Sequence, residues 1–161
     1  MLVYQFRPEG NRKHWTLITG GMSDNPQPSS ADTPGCISPR TELMMYVREP
    51  KQWMFDVLMG LAELPFGAQR PVHWWLTLPN GMPMTPQSSL LTSFFFIPPL
   101  CEPMEFDSLK IENQLVQFLL VIPITDEEFD FELKHGPNAL LKLFEDKDFD
   151  CIVDEERGSF V

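Results

Sequence analysis

Ser23 is the residue whose neighbours come closest to a catalytic motif. It follows the run Gly20–Met22, and a glycine-rich turn can present a serine as a nucleophile. The closing glycine of a GxSxG motif is missing, and a Pro-rich segment follows in place of a helix. None of the three histidines lies in a motif that would supply a base. The pattern therefore predicts a tight turn leaving a strand, with Gly21 and Ser23 as alternative binding residues.

Acidic residues alternate in Asp146–Asp150 (DKDFD), as the first ligands of a calcium loop do. The turn glycine expected at position 6 is absent, and Val153 and Asp154 stand where later ligands would be sought. No HxxxH, HxH or CxxC pair and no phosphate-binding glycine loop occurs. We predict no metal and no cofactor, and interpret Asp146 and Asp148 as a solvated turn that could bind a partner.

The three cysteines, Cys36, Cys101 and Cys151, are far apart in the sequence and odd in number. This pattern indicates neither a disulfide framework nor a zinc ribbon. We expect the cysteines to be free thiols in a reducing compartment that act as small, commonly buried apolar side chains.

Four further residues could contact a ligand or a partner. Arg40 and Glu42 point to the same side of a predicted strand, so they could pair with each other or face a partner. Trp74 and Trp75 are adjacent, so in a strand one ring faces the core while the other could form a ligand platform. Core packing is the favoured interpretation of the tryptophans.

The negative charge is confined to one part of the chain. Residues 1–101 hold seven acidic and seven basic residues, whereas residues 102–161 hold 16 acidic and five basic ones, which accounts for the net charge of −11. Such a surface repels a phosphate backbone and favours a basic protein, although a solvated face explains it equally well. Direct nucleic-acid binding is not expected.

Length and composition predict one globular domain. The chain has 161 residues, 43% of them hydrophobic, with 13 Phe and 4 Trp. No apolar run reaches the ~18 residues of a membrane span, and Met1–Trp15 lacks the apolar centre of a signal peptide. We expect a cytoplasmic protein that binds no membrane.

Hydrophobic periodicity predicts the order ββ-α-βββ-αα-β. The predicted strands are His14–Thr19, Arg40–Val47, Val72–Leu78, Thr92–Ile97, Gln114–Ile122 and Cys151–Val153. Phe118–Ile122 is apolar throughout, which indicates a central strand. One helix follows Pro50, with Trp53, Val57, Leu61 and Leu64 inward and Pro65 as its end.

A second helix is expected to begin at a capping box formed by Thr125 and Glu128, with Phe129 and Leu133 inward, and to stop at His135–Gly136. A third helix is predicted from Pro137, with Leu140, Leu141 and Phe144 inward. Loops are predicted over Asp24–Gly35 and Pro79–Ser89. The fold class is α+β: a mixed, largely antiparallel central sheet in a single domain, with helices packed on its faces.

Six segments in order resemble the suppressor of fused (SUFU) domain family. They are HWTLITGGMS (14–23), RTELMMYV (40–47), QWMFDVLMGLAELP (52–65), FFFIPPLCEP (94–103), FLLVIPITDEEFDFELKHGPNALLKLFED (118–146) and DEERGSFV (154–161). Members of the family usually carry some tens of residues before the first motif, and only Met1–Lys13 precede it here. We therefore expect 1–161 to be a minimal or truncated SUFU-like domain.

The resemblance implies a binding domain without enzymatic activity. Animal members hold zinc-finger transcription factors, and stand-alone bacterial domains look like immunity proteins that neutralise toxins. This short chain is similar to the bacterial sort, so a basic toxin is the expected partner. Two alternatives remain open, namely a hydrolytic or small-ligand-binding enzyme with an unrecognised site and a scaffold subunit. The oligomeric state is not predicted.

Overall fold

An eight-stranded mixed sheet with helices on both faces forms the protein. The computed structural model describes residues 1–28, 33–85 and 90–161, so residues 29–32 within the first predicted loop and residues 86–89 at the end of the second lie outside the described residues. The strands are β1 Leu2–Phe6, β2 Trp15–Gly20, β3 Thr41–Val47, β4 Thr77–Pro79, β5 Leu91–Ile97, β6 Ser108–Ile111, β7 Gln114–Thr125 and β8 Ile152–Val153. The helices are α1 Gln52–Gly67, α2 Asp126–His135 and α3 Pro137–Asp146, with a 3₁₀ turn at Met104–Asp107.

The strand order is β1-β2-β3-β7-β5-β4, with β6 paired to the start of β7 and β8 paired to the end of β3. Strand β3 runs parallel to β7 and β8, and the other pairs are antiparallel. The predicted α+β fold with a mixed, largely antiparallel sheet is confirmed. Val116–Thr125 is buried throughout, which also confirms the central strand inferred from its continuous apolar run.

Alternating side chains of the central strands build a separate core on each face of the sheet. Leu43, Met45, Phe94 and Phe96 belong to the core that α1 covers. Met44, Tyr46, Phe95 and Ile97 alternate with them and belong to the core that α3 covers. The helix residues that complete these cores are Met54, Leu58, Leu61 and Ala62 of α1 and Leu140 and Phe144 of α3. A strand with apolar residues on both sides therefore reflects a sheet between two helical layers.

Two strands were not predicted from the sequence. Strand β1 lies at the edge of the sheet, and its residues Leu2, Tyr4 and Phe6 are exposed, so it lacks the alternation that marks a half-buried strand. Strands β6 and β7 form a hairpin through Glu112 and Asn113, whose φ angles are 46° and 65°. Positive φ at both central residues is typical of a type I′ turn, but Glu-Asn is not one of its usual sequence signals.

The strand predicted at Val72–Leu78 is wrong over most of its length. Only Thr77–Pro79 is a strand, and His73–Trp75 leads into it through a turn in which Trp75 adopts a φ of 72°. The backbone N–H of Trp75 donates to the carbonyl of Phe96 at 2.7 Å. A positive φ is rare for a bulky residue, so nothing in the sequence indicated this turn. The aromatic composition of the segment favoured a strand instead.

Helix α1 continues through Pro65 to Gly67, so the prediction that Pro65 ends it is wrong. Pro65 cannot donate a backbone hydrogen bond, and it is buried within the last turns of the helix. The fully buried face contains Met54, Leu58 and Leu61, whereas Trp53, Val57 and Leu64 of the predicted stripe are only partly buried.

The predicted start of α2 is confirmed, and of its predicted inward residues Phe129 packs partly buried against the core that α3 covers, whereas Leu133 does not. Thr125 Oγ1 accepts from the Glu128 backbone at 3.2 Å and Glu128 Oε2 accepts from the Thr125 backbone at 2.9 Å, which is the expected capping box. Leu133 is 66% exposed, and Glu128 and Glu132 take the buried positions instead. Gly136, with a φ of 83°, ends α2, and Pro137 opens α3 as predicted.

Candidate functional site

A groove of about 400 Å³ runs between α3 and the end of β5, and we call it the α3 groove. Its apolar lining consists of Trp75, Ile97, Pro98, Leu100, Leu141, Phe144 and Phe149, and its carboxylates are Glu145 and Asp148. Leu100 is 57% exposed, so part of this apolar surface faces outward. A concave apolar surface with a few charged groups is the kind of site that receives a side chain from a ligand or a partner.

Two rings that line the groove, Phe144 and Phe149, belong to an aromatic cluster with Phe160 and Arg157. The rings of Phe144 and Phe149 stack with centroids 4.4 Å apart, and Phe160 meets both edge-on at 5.9 and 5.7 Å. The Arg157 guanidinium lies 5.2 to 6.0 Å from the centres of all three rings. Such aromatic and cation–π contacts favour one fixed arrangement of the C-terminal tail beside α3.

Glu128 fixes the same tail from the side of α2. Its carboxylate accepts from Arg157 Nη1 at 2.6 Å and Nη2 at 2.7 Å, and from the Phe160 backbone at 3.2 Å. Arg157 Nη2 also donates to the carbonyl of Pro123 at 2.9 Å. The Glu128 side chain is fully buried and that of Arg157 is 10% exposed, so this is a satisfied buried ion pair. It holds the end of the chain against α2 and the aromatic cluster.

Most acidic residues of the C-terminal part of the chain face outward, and two of them, Glu145 and Asp148, line the α3 groove. Of the 16 acidic residues in 102–161, eleven are exposed, as predicted, and Glu128 and Glu132 are the buried exceptions. The exposed ones are Glu105, Glu112, Asp126, Glu127, Asp130, Glu145, Asp146, Asp148, Asp150, Asp154 and Glu156. Four of them, Glu145, Asp146, Asp148 and Asp150, lie at the end of α3 or just after it, where Lys142 and Lys147 are the cations nearby in sequence. The end of α3 beside the groove therefore carries more negative than positive charge.

Of the predicted binding residues, the structure places only Trp75 and Asp148 at the α3 groove. Asp146, close by in sequence, pairs with Lys142 at 3.1 Å on the exposed side of α3. Trp74 packs on the other face of the sheet, and its Nε1 donates to the carbonyl of Phe118 at 2.8 Å. The two tryptophans thus face opposite cores, and neither is a free platform.

Gly21, Ser23, Arg40 and Glu42 come together in a second place, which we call the Glu42 turn. Glu42 Oε1 accepts from the Gly21 backbone at 3.0 Å, and from the Ser23 backbone at 2.9 Å and hydroxyl at 2.6 Å. Arg40 Nη1 donates to the carbonyls of Ser23 and Asp24, both at 2.6 Å, and no Arg40–Glu42 ion pair forms among the described residues. These contacts stabilise a tight turn in which Gly21 has a φ of 98°.

Most groove residues were not predicted as binding residues, namely Glu145 and all the apolar ones except Trp75. Leu141 and Phe144 belong to the predicted apolar face of α3, and Pro98 and Leu100 follow directly after β5. Nothing in the sequence showed that these two segments lie side by side. The sequence places Arg157 in the closing segment 154–161 and Glu128 in a capping box, and it does not show that the two residues form an ion pair.

The described residues show little that would support metal binding or a membrane span. No group of three or more His, Cys, Asp or Glu side chains in 1–28, 33–85 and 90–161 is arranged to hold an ion. Within the same ranges, no helix combines the length and the apolar character needed to cross a bilayer. Burial raises the pKa of Asp107, but this carboxyl lies outside the α3 groove.

Comparison with protein families gives a match over nearly the whole chain. The family model described as suppressor of fused protein (SUFU) matches residues 1–158. The chain belongs to the suppressor of fused family. A curated relative, immunity protein YqcF of Bacillus subtilis (strain 168), is 32% identical over 82 residues. That match spans 51% of this chain and 42% of YqcF, so less than half of the relative's length is represented.

Solved structures of SUFU proteins share the fold of this chain. A SUFU homologue from Neisseria gonorrhoeae FA 1090 superimposes with a TM-score of 0.73 at 22% identity, covering 99% of this chain and 77% of the homologue. A Sufu–Fu complex gives 0.73 at 14% identity, with 98% and 75% covered. Drosophila Suppressor of Fused gives 0.70 at 14% identity, with 98% and 42% covered. Family membership and the immunity name of YqcF fit a non-catalytic binding role.

Proposed function

We propose that this chain is a cytoplasmic immunity-type protein that binds a basic toxin and neutralises it, without catalysing a reaction. The observation that carries the proposal is the α3 groove, an apolar trough of about 400 Å³ with Glu145 and Asp148 on it. An apolar side chain flanked by lysine or arginine would fill such a groove and meet the carboxylates around it.

The charge distribution supports a basic partner over an acidic one. Eleven exposed carboxylates lie in the C-terminal part, where the exposed cations are Lys110, Lys134, Lys142 and Lys147. Opposite charge on the two proteins accelerates their encounter and excludes partners of like charge. The name of YqcF supports a toxin as the partner class, and the Sufu–Fu complex shows a related fold in a complex.

A growth-rescue experiment tests this proposal. A toxin domain encoded beside this gene is expressed from an inducible promoter, with or without the chain in the same cells. We expect the wild-type chain to restore growth and the Glu145→Lys/Asp148→Lys variant to fail. Glu9→Lys/Glu63→Lys changes the charge equally on exposed residues outside the α3 groove, and should still rescue growth. Growth arrest despite well-expressed wild-type chain would refute the immunity function.

One observation favours the scaffold alternative instead. Edge strand β1 exposes Leu2, Tyr4 and Phe6 on one side, at 61%, 52% and 46%. An exposed apolar edge can pair with another chain. Sedimentation analysis at several protein concentrations tests this candidate, because a scaffold built through β1 forms a stable oligomer that Tyr4→Lys disrupts. A protein that stays monomeric at all concentrations would contradict the scaffold function.

A further inference from the structure

Cys101 and Cys151 lie side by side although 50 residues separate them in the sequence. Their Sγ atoms are 3.3 Å apart. Cys101 belongs to the loop between β5 and the 3₁₀ turn, and Cys151 directly precedes β8. A disulfide has an S–S distance of about 2.05 Å, so the two sulfurs need to approach by only about 1.3 Å. The expectation of a buried apolar side chain is wrong for Cys101, which is exposed.

We propose that Cys101 and Cys151 are a thiol–disulfide modification site that forms a reversible intramolecular bond. The two thiols differ in a way that suits sequential chemistry. Cys101 is exposed, whereas Cys151 is partly buried. The hydrogen bond between them lowers the pKa of Cys101, and that bond together with burial raises the pKa of Cys151. Cys101 is thus the thiol that ionises first and meets an oxidant from solution.

The oxidant is a small-molecule disulfide such as oxidised glutathione. The Cys101 thiolate attacks one of its sulfurs, the glutathione S–S bond breaks, and one glutathione thiolate leaves. Cys151 then loses its proton to water and attacks Cys101 Sγ, which releases the second glutathione thiolate. Two protein thiols are oxidised to one disulfide while one glutathione disulfide is reduced to two thiols. Because burial, and then Asp150 and Glu102, oppose the ionisation of Cys101, its pKa is lowered less than the hydrogen bond alone would achieve.

The bond would fix a segment that few backbone contacts hold. Strand β8 has two residues, which pair with Tyr46 and Val47 at the end of β3. Directly after it, Glu155 pairs with Lys51 at 2.6 Å and Arg157 reaches Glu128. A disulfide at Cys151 would tie the start of this tail to the loop after β5. Oxidation should therefore suppress local opening of β8.

Thiol titration and peptide mass spectrometry test the proposal on the full chain. After incubation of reduced protein with oxidised glutathione, we expect only one of the three thiols to remain titratable in denaturant, with Cys101 and Cys151 linked. Cys151→Ser should keep glutathione bound at Cys101, because the second attack is removed. Cys101→Ser should form no intramolecular bond. Cys36→Ser is the matched control and should form the same Cys101–Cys151 bond and leave no titratable thiol, since Cys36 Sγ contacts the Ser38 carbonyl at 3.2 Å in another part of the chain.

Hydrogen exchange supplies a readout that does not depend on the thiol assay. The amides of Ile152 and Val153 should exchange several-fold more slowly in the oxidised protein, and dithiothreitol should reverse the change. Three free thiols after prolonged incubation, or stable glutathione on Cys101 of the wild-type chain, would overturn the proposal. Disulfide-linked dimers in place of the intramolecular bond would overturn it as well.

Discussion

At the scale of single residues, the contact between Arg157 and Glu128 has the largest expected effect on stability. Arg157→Ala leaves a fully buried carboxylate without its cation, and the loss of one partner of a buried pair costs about 3–5 kcal/mol. We expect the free energy of unfolding to fall by that amount in urea titration. Lys142→Ala breaks an exposed pair with Asp146 and should cost less than about 1 kcal/mol. Equal losses for the two variants would contradict this assignment.

His14 gives a residue-level prediction about pH. Burial lowers the pKa of His14 from 6.5, with Arg12 lowering it further and Glu102 and Asp150 opposing the shift. The unfolded chain therefore binds a proton at a higher pH than the folded one, and stability falls as pH decreases through about 6.5. His14→Phe keeps a ring against Tyr46, where the two centroids are now 4.7 Å apart, and removes the titrating group.

We expect wild-type stability to fall relative to His14→Phe by up to about 1.4 kcal/mol per pH unit below the unfolded pKa. Urea titrations at several values between about pH 7.5 and 5.5 measure this difference. Parallel stability curves for the two proteins would show that His14 carries no proton difference between the folded and unfolded states.

At the scale of secondary-structure elements, helices α2 and α3 bury different kinds of residue. Leu140 of α3 is fully buried, whereas Leu133 of α2 is 66% exposed. Leu140→Ala should cost about 2–5 kcal/mol, because it removes buried contacts and leaves a cavity. Leu133→Ala should change stability by less than about 0.5 kcal/mol. Thermal or urea unfolding of both variants checks the orientation of α2, and a large loss at Leu133 would restore the face expected from periodicity.

The elements that the sequence predicted well are those with local signals. The Thr125–Glu128 capping box, the Gly136–Pro137 junction and the apolar run of β7 each depend on neighbouring residues, and each was placed correctly. The errors occur where contacts between residues far apart in the sequence determine the local structure. Trp75 takes its turn conformation from a bond to Phe96, and Glu128 and Glu132 are buried because Arg157 and Thr77 satisfy them. Composition and spacing carry no information about those partners.

The candidate site was predictable in the same limited sense. The acidic C-terminal part and the apolar side of α3 were visible in the sequence, and Trp75 and Asp148 were among the predicted binding residues. Their meeting with Leu100 at one groove depends on how β5 and α3 pack. The remaining predicted residues, Gly21, Ser23, Arg40 and Glu42, form a hydrogen-bonded turn, and a binding role for that turn stays a prediction.

At the scale of the whole molecule, the two sides of the sheet differ in what they offer to solvent. One face is covered by α1 from the charge-balanced part of the chain. The other carries α2, α3 and the acidic tail, with the α3 groove between α3 and β5. Under the proposed function, a basic protein would meet the side that carries α3, because charge would guide the encounter and the apolar groove would supply contact area.

The affinity of the purified chain for a basic toxin domain encoded beside it, measured by calorimetry across salt concentrations, tests this account most directly. We predict that the affinity falls steadily as salt is added. We also predict that Glu145→Gln/Asp148→Asn weakens the affinity by at least about 5-fold per charge, since each substitution removes a close ion pair worth about 1 kcal/mol or more. Glu9→Gln/Glu63→Gln removes the same net charge elsewhere and should bind like wild type. Binding that is independent of salt, or equal losses in both double variants, would contradict the claim that the α3 groove is the contact surface.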